Sequence, residues 1–136
     1  MTTELRSDCP IAASLDILGD RWTLVVLRDM LLGGLSRFSE FAVDESIASN
    51  ILTDRLHRLV DGGLIERSTD PLDGRRVIYR PLAPAIALVP VLAELVAWGV
   101  RYTAAPENDV FEPFANSETR SAAVSATMTR LAEQVA

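Results

Sequence analysis

The chain has 136 residues, 49% of them hydrophobic, and a net charge of −6, which suits one folded domain with a sizeable core. No run of eighteen apolar residues occurs, and the N-terminus Met1-Thr2-Thr3-Glu4-Leu5-Arg6 does not read as a signal peptide, so a cytoplasmic protein with no membrane partner is expected. One cysteine and one histidine exclude an intrachain disulfide and are too few for a usual structural zinc site, so no metal or cofactor is expected.

Residues 1–7 read as a frayed arm. Asp8-Cys9-Pro10 can open a short helix, with Asp8 as N-cap and proline in the first turn, where its missing donor costs nothing. Ile11, Leu15 and Leu18 form its inner face, and Gly19 ends it. Asp20 then caps a second helix, Arg21 to about Leu32, in which Trp22, Val25, Val26 and Met30 make most sides apolar, so it is expected at the centre. After Gly33-Gly34, Ser36 can cap a short helix from Arg37 to Ala42 with Phe38 and Phe41 facing inward.

From about Ser46, the residues Ile47, Ile51 or Leu52, Leu56 and Leu59 recur at spacings of three and four, the signature of one apolar helix face. Gly62-Gly63 ends that helix. Leu64–Arg67 and Arg75–Tyr79 then read as short strands around the turn Asp70-Pro71-Leu72-Asp73-Gly74, because proline, glycine and aspartate favour turn conformations. Helix, hairpin and basic tip in this order describe a winged helix-turn-helix, mainly α with a small β-hairpin wing.

Pro81 and Pro84 break the pattern, and a long helix is expected from about Pro84 to Tyr102. Its Leu88, Val91, Leu92, Leu95, Val96 and Trp98 exceed what one face needs, so Leu88, Leu92, Leu95 and Trp98 are expected to meet a second copy in a homodimer. Ala104–Asn116 reads as a linker. A last helix, from Ser117 or Glu118 to about Gln134, aligns Val124, Met128, Leu131 and Val135 and is expected to close the dimer edge together with the Cys9 helix. The expected division is therefore 1–103 for the winged-helix domain with its long helix, and 104–136 for linker and extra helix.

Several ordered segments are similar to one family. Cys9-Pro10-Ile11, the run from Leu15 to Thr23, Leu32-Gly33-Gly34, Arg37-Phe38-Ser39-Glu40-Phe41, the run from Asn50 to Leu56, Gly63-Leu64-Ile65, Pro90-Val91-Leu92 and Trp98-Gly99 together resemble the HxlR-type winged-helix transcriptional regulators of bacteria, relatives of the MarR regulators. The resemblance spans roughly Cys9 to Gly99 and implies a dimer that binds an inverted repeat in double-stranded DNA. The chain departs from it in three places. Ala48 stands where many members have serine, leaving Ser46 or Ser49 to cap the recognition helix. The tip Asp73-Gly74-Arg75-Arg76 is closer to the MarR relatives, with Ile78 in place of a common glutamate. The turn after the wing has become Pro81-Leu82-Ala83-Pro84-Ala85-Ile86.

On the face opposite the leucines, Ser49, Asn50, Thr53, Asp54, His57 and Arg58 are suited to base edges or phosphate, asparagine favouring adenine and arginine guanine. An ordinary solvated face has the same pattern. Phosphate would repel Asp54 unless it accepts from a cytosine amine, and Arg55 is open to pairing with Asp54, Asp61 or an acid of a neighbouring helix. Strand alternation sends Arg75 and Arg76 to opposite faces, one toward phosphate. Arg37 can meet a phosphate at a helix N-terminus or remain a surface cation. The chain has no lysine, and residues 37–80 hold seven arginines against eight acids, so the acidity is less marked in the part expected to face DNA.

Cys9 lies near a helix N-terminus, which favours a thiolate, while Asp8 opposes it. The resemblance implies a cysteine here that senses oxidants, against a plain reading as a small residue packed at the dimer seam. A small hydrophobic effector could sit in an apolar cleft near Trp22 and Trp98, against simple core packing of both rings. The competing function is a winged-helix protein-interaction module that does not bind DNA. No nucleophile elbow, phosphate-binding glycine loop or metal-ligand cluster occurs, so an enzyme is not expected.

Overall fold

The computed structural model describes residues 5–135, with Val135 described by its backbone only; residues 1–4 of the expected arm and the Val135 end of the last stripe lie outside this description. The element order is α1 (Pro10–Leu18), α2 (Thr23–Leu31), a 3-10 turn (Phe38–Glu40), α3 (Ser49–Asp61), β1 (Ile65–Asp70), β2 (Asp73–Pro81), α4 (Ala83–Ile86), α5 (Val89–Tyr102), α6 (Glu112–Ala115) and α7 (Arg120–Val135). This is a winged helix-turn-helix, mostly helical with one antiparallel hairpin.

The core forms where the apolar stripes converge: Val26, Leu27, Met30 and Leu31 of α2, Leu52, Leu56 and Leu59 of α3, Ile65 and Tyr79 of the wing, and Val89 and Leu92 of α5. The centre of the sequence behaves as its periodicity predicts. The first helix does not, because Ile11 is 71% exposed, Leu15 is also exposed, and α1 buries no residue. Only Leu18 reaches the core cluster. Its N-cap is Cys9 rather than Asp8, and the Cys9 amide donates to the Ser7 hydroxyl at 3.2 Å.

α2 starts at Thr23 with Trp22 at its N-cap, two residues later than expected, and the Asp20 carboxylate ahead of it accepts from the Trp22 and Thr23 amides at 2.8 and 3.0 Å and from the Thr23 hydroxyl. The Arg37–Ala42 helix shrinks to the 3-10 turn, with Phe41 buried and Phe38 turned outward. Glu40 accepts from the Arg37 amide at 3.0 Å, so the turn is held from its third residue and not by Ser36. The Ser36 carbonyl accepts instead from the Tyr79 amide at 2.8 Å, which ties this segment to the wing.

The hairpin is longer than expected and its loop tighter. Only Pro71 and Leu72 separate the strands, with Asp70 opposite Asp73, and the Asp70 carboxylate accepts from the Leu72 amide at 2.9 Å. Thr69 pairs with Val77, so Gly74, Arg75 and Arg76 bulge out of the ladder. The bulge interrupts simple alternation at this point, and both the Arg75 and Arg76 side chains are exposed, Arg75 to 93%.

The long apolar segment Ala83–Tyr102 is by length and composition sufficient to cross a membrane. Here it is divided at Ala87-Leu88 into α4 and α5, and it gives Ala85, Ile86, Val89, Leu92 and Ala93 to the core. The C-terminal segment folds back onto that core. Leu131 is buried in that core, and Val124 and Met128 pack against it while remaining partly exposed. The expected linker contains α6, whose Phe114 is buried. The Arg120 guanidinium donates to the Phe114 and Ala115 carbonyls at 2.6 and 3.1 Å and reaches Glu94 of α5 at 3.3 Å.

Candidate nucleic-acid interface

Leu52, Leu56 and Leu59 fix the rotation of α3, because all three are buried. Ser49, Asn50, Thr53, His57 and Arg58 consequently point to solvent, with Asp54 half-buried beside them. The helix begins without a side-chain cap: its N-cap is Ala48. Ser46 cannot serve because it sits in a left-handed turn (φ 57°), its amide bonded to the Val43 carbonyl at 3.0 Å. Ser49 lies inside the helix, where its carbonyl accepts from the Thr53 hydroxyl at 2.8 Å.

A chain of ion pairs fixes the helix to its scaffold. Asp20 accepts from Arg55 Nε at 3.0 Å, Arg55 Nη1 reaches Asp54 at 2.5 Å, and Asp54 meets Arg58 Nε at 3.0 Å. Burial opposes ionisation of Asp20, yet hydrogen bonds from the Thr23 hydroxyl, the Trp22 amide and Arg55 bring its carboxyl down to about 2. Of the partners open to Arg55, the structure selects Asp54 and Asp20.

The loop entering α3 is held from α2, a feature the sequence reading missed. Asp29 accepts from the Ala42 amide at 2.7 Å, at a residue in the left-handed region (φ 51°). Neighbouring Arg28 makes a two-pronged bond to Glu45 at 2.7 and 3.0 Å. That bond holds the Glu45 carboxyl below its ordinary range, against the opposing effect of burial. Two charged neighbours on an otherwise apolar helix were the available signal.

The wing carries the other nominated cations. Arg37 does not stand free at a helix N-terminus but reaches Asp70 at 3.3 Å. The Leu72 amide, then Arg37, hold the Asp70 carboxyl below the usual range. Arg75 and Arg76 both approach Asp73, each at 3.4 Å. Leu72 at the tip is almost wholly exposed.

Of the residues expected at a dimer seam, Leu92 is a correction. It is 5% exposed and belongs to the protomer's own core, and Leu88 also packs against that core. Burial of Val89, Leu92 and Ala93 orients α5 so that Val91, Leu95, Trp98 and Tyr102 face out, Trp98 to 60%. These four line a groove of about 1210 Å³ that α6 and the start of α7 close on one side. Simple core packing therefore fails for Trp98, and Trp22, half-buried under the Arg21 guanidinium, does not line this groove. Cys9 is an exposed free thiol at the start of α1. Among the described residues no group of three or more His, Cys, Asp or Glu side chains could hold a metal ion.

A family profile described as HxlR-like helix-turn-helix matches residues 17–107. Rv3095 of Mycobacterium tuberculosis, an uncharacterised HTH-type transcriptional regulator, is 33% identical over 97 residues, 71% of this chain and 61% of that protein. The chain thus spans under two thirds of the length of such mycobacterial relatives. Among solved structures, PA1607, a candidate transcription factor, aligns with a TM-score of 0.69 at 35% identity, covering 79% of this chain and 75% of that one. The reduced form of the transcriptional regulator YodB from Bacillus subtilis, also solved after diamide treatment, aligns with a TM-score of 0.57 at 27% identity, covering 74% of this chain and 100% of that one.

Proposed function

This chain belongs to the HxlR-like helix-turn-helix family, and we propose that it is a homodimeric transcriptional regulator that reads an inverted-repeat operator in double-stranded DNA. The observation that carries the reading is the division of α3 into a buried leucine face and an exposed polar face bearing Ser49, Asn50, Thr53 and His57, next to a wing with Arg75 and Arg76 exposed. A helix so presented fits the major groove, where short polar side chains meet base edges, while the wing meets the flanking backbone.

The dimer reading draws support from two exposed apolar surfaces: Val91, Leu95, Trp98 and Tyr102 on α5, and Ile11 and Leu15 on α1. Contiguous exposed apolar patches of this kind mark interaction sites in soluble proteins. In the dimer the two α3 helices enter successive major grooves, about 34 Å apart along the duplex. Fluorescence anisotropy with duplexes from the region upstream of the protein's own gene tests the reading. Saturable binding at two protomers per duplex, surviving competition by random DNA, is expected. Absence of binding to any duplex would favour the protein-interaction module instead.

Signal response is the finer part of the proposal. The exposed Cys9 thiol supports oxidant sensing, for which diamide should change operator affinity in the wild type and leave Cys9→Ser unaffected. The α5 groove with Trp98 and Tyr102 supports a small hydrophobic effector. An effector there should quench Trp98 fluorescence and shift operator affinity together.

A further inference from the structure

The four arginines nominated for phosphate contact are all already paired within the protomer: Arg37 with Asp70 at 3.3 Å, Arg58 with Asp54 at 3.0 Å, and Arg75 and Arg76 with Asp73 at 3.4 Å each. The chain has a net charge of −6 and no lysine to add free cations. Phosphate neutralisation is essentially the whole of non-specific DNA binding, so carboxylates at these positions act against it directly. We propose that Asp54 and Asp73 are built-in counter-ions that offset part of the positive charge of the interface arginines, holding down affinity for arbitrary DNA and restricting tight binding to sequences that α3 can read. The inference rests on the DNA-binding reading above.

The geometry gives the two acids different parts. Asp73 sits at the base of the bulged tip, and Arg75 and Arg76, both exposed, approach its carboxylate at 3.4 Å each. Such exposed pairs are weak and readily exchanged, so they contribute little to the fold, yet in each one phosphate must displace the carboxylate before the arginine is free. Asp54 lies between Arg55 and Arg58 at the edge of the groove face. On an operator it can accept from a cytosine amine, whereas elsewhere it meets acceptors and phosphate oxygens without compensation. Asp73 therefore sets the overall electrostatic gain, and Asp54 adds discrimination.

Asparagine tests this without removing the turn, because its amide oxygen can still accept from the Arg75 amide, as Asp73 does at 3.1 Å. Affinities of the full-length wild type, Asp73→Asn and Asp54→Asn are measured across a salt series for a selected operator duplex and a random duplex, with circular dichroism as the check on folding. Asp73→Asn should bind both duplexes roughly threefold to tenfold more tightly at low salt, with a salt slope steeper by about one. Asp54→Asn should tighten binding to random DNA more than to operator, lowering their ratio severalfold. Adding Arg76→Gln to Asp73→Asn should abolish the gain. A folded Asp73→Asn with an unchanged or flatter slope, or an Asp54→Asn with an unchanged ratio, overturns the inference while leaving DNA binding intact. A wild type that binds neither duplex overturns both.

Discussion

Asp20 and Arg55, 35 positions apart, meet at 3.0 Å, so a carboxylate just ahead of α2 also holds α3. The same carboxylate accepts from the Trp22 and Thr23 amides, which couples the capping of one helix to the placement of the next. Asp20→Asn keeps an acceptor for the amides and removes the charge facing Arg55. The Asp20 carboxyl stands at about 2 in the folded protein against an ordinary 3.8. A depressed folded value contributes stability that is complete above the unfolded value and lost as pH falls through the folded one. Asp20→Asn should therefore cost about 1 to 2 kcal/mol at pH 7, after discounting for solvent screening. In urea unfolding, the gap between wild type and variant should close between pH 4 and 2.

Arg28 and Glu45 make the corresponding clamp on the loop before α3. Arg28→Met retains the aliphatic stem and breaks both bonds, for an expected loss of about 1 kcal/mol, since the pair is partly exposed. Operator affinity should fall further than that stability loss explains, because the loop sets the entry of α3. Anisotropy and urea unfolding on the same preparation separate the two effects.

Leu92 and Leu95 are three residues apart on α5 but differ in their surroundings, one in the core and one 47% exposed. Leu92→Ala should destabilise the protomer by about 2 to 5 kcal/mol whatever the protein concentration. Leu95→Glu should leave the protomer folded and weaken self-association by about tenfold or more. Sedimentation equilibrium with parallel thermal melts distinguishes them, and a monomeric wild type would contradict the dimer.

Leu131 gives the C-terminal segment its place in the core. Leu131→Ala should cost about 2 to 5 kcal/mol, in a single unfolding transition shared with Trp22. A separate low-temperature transition for α7 would show that it folds independently.

The parts legible in sequence were those specified by local periodicity or turn chemistry. Leu52, Leu56 and Leu59 orient α3 without reference to anything distant, and Asp70-Pro71 marks the hairpin. What escaped depended on long-range partners or on helix phase. Ser46 seemed a natural cap until the left-handed turn between Ala42 and Ile47 removed it. Arg37 looked free because its partner, Asp70, lies 33 residues away. Leu92 looked like a seam residue because this helix is apolar on most sides; the buried stripe Ala85, Ile86, Val89, Leu92 and Ala93 runs at spacings of three and four across Ala87-Leu88, and of the expected seam residues only Leu95 and Trp98 are exposed. The periodicity of the C-terminal stripe was legible, but that Leu131 would enter the protomer's own core, with Val124 and Met128 packed against it, was not, because that contact is made across the whole chain.

Base reading by the exposed face of α3 is tested most directly at one side chain. Asn50, exposed in its first turn, is the residue best suited to a two-pronged contact with adenine. Binding of wild type and Asn50→Ala should be compared on a duplex selected from random sequence and on a scrambled duplex at the same salt. A loss of about 1 to 3 kcal/mol is expected on the selected duplex, with little change on the scrambled one. Equal losses on both, or none on either, would contradict base reading by this face.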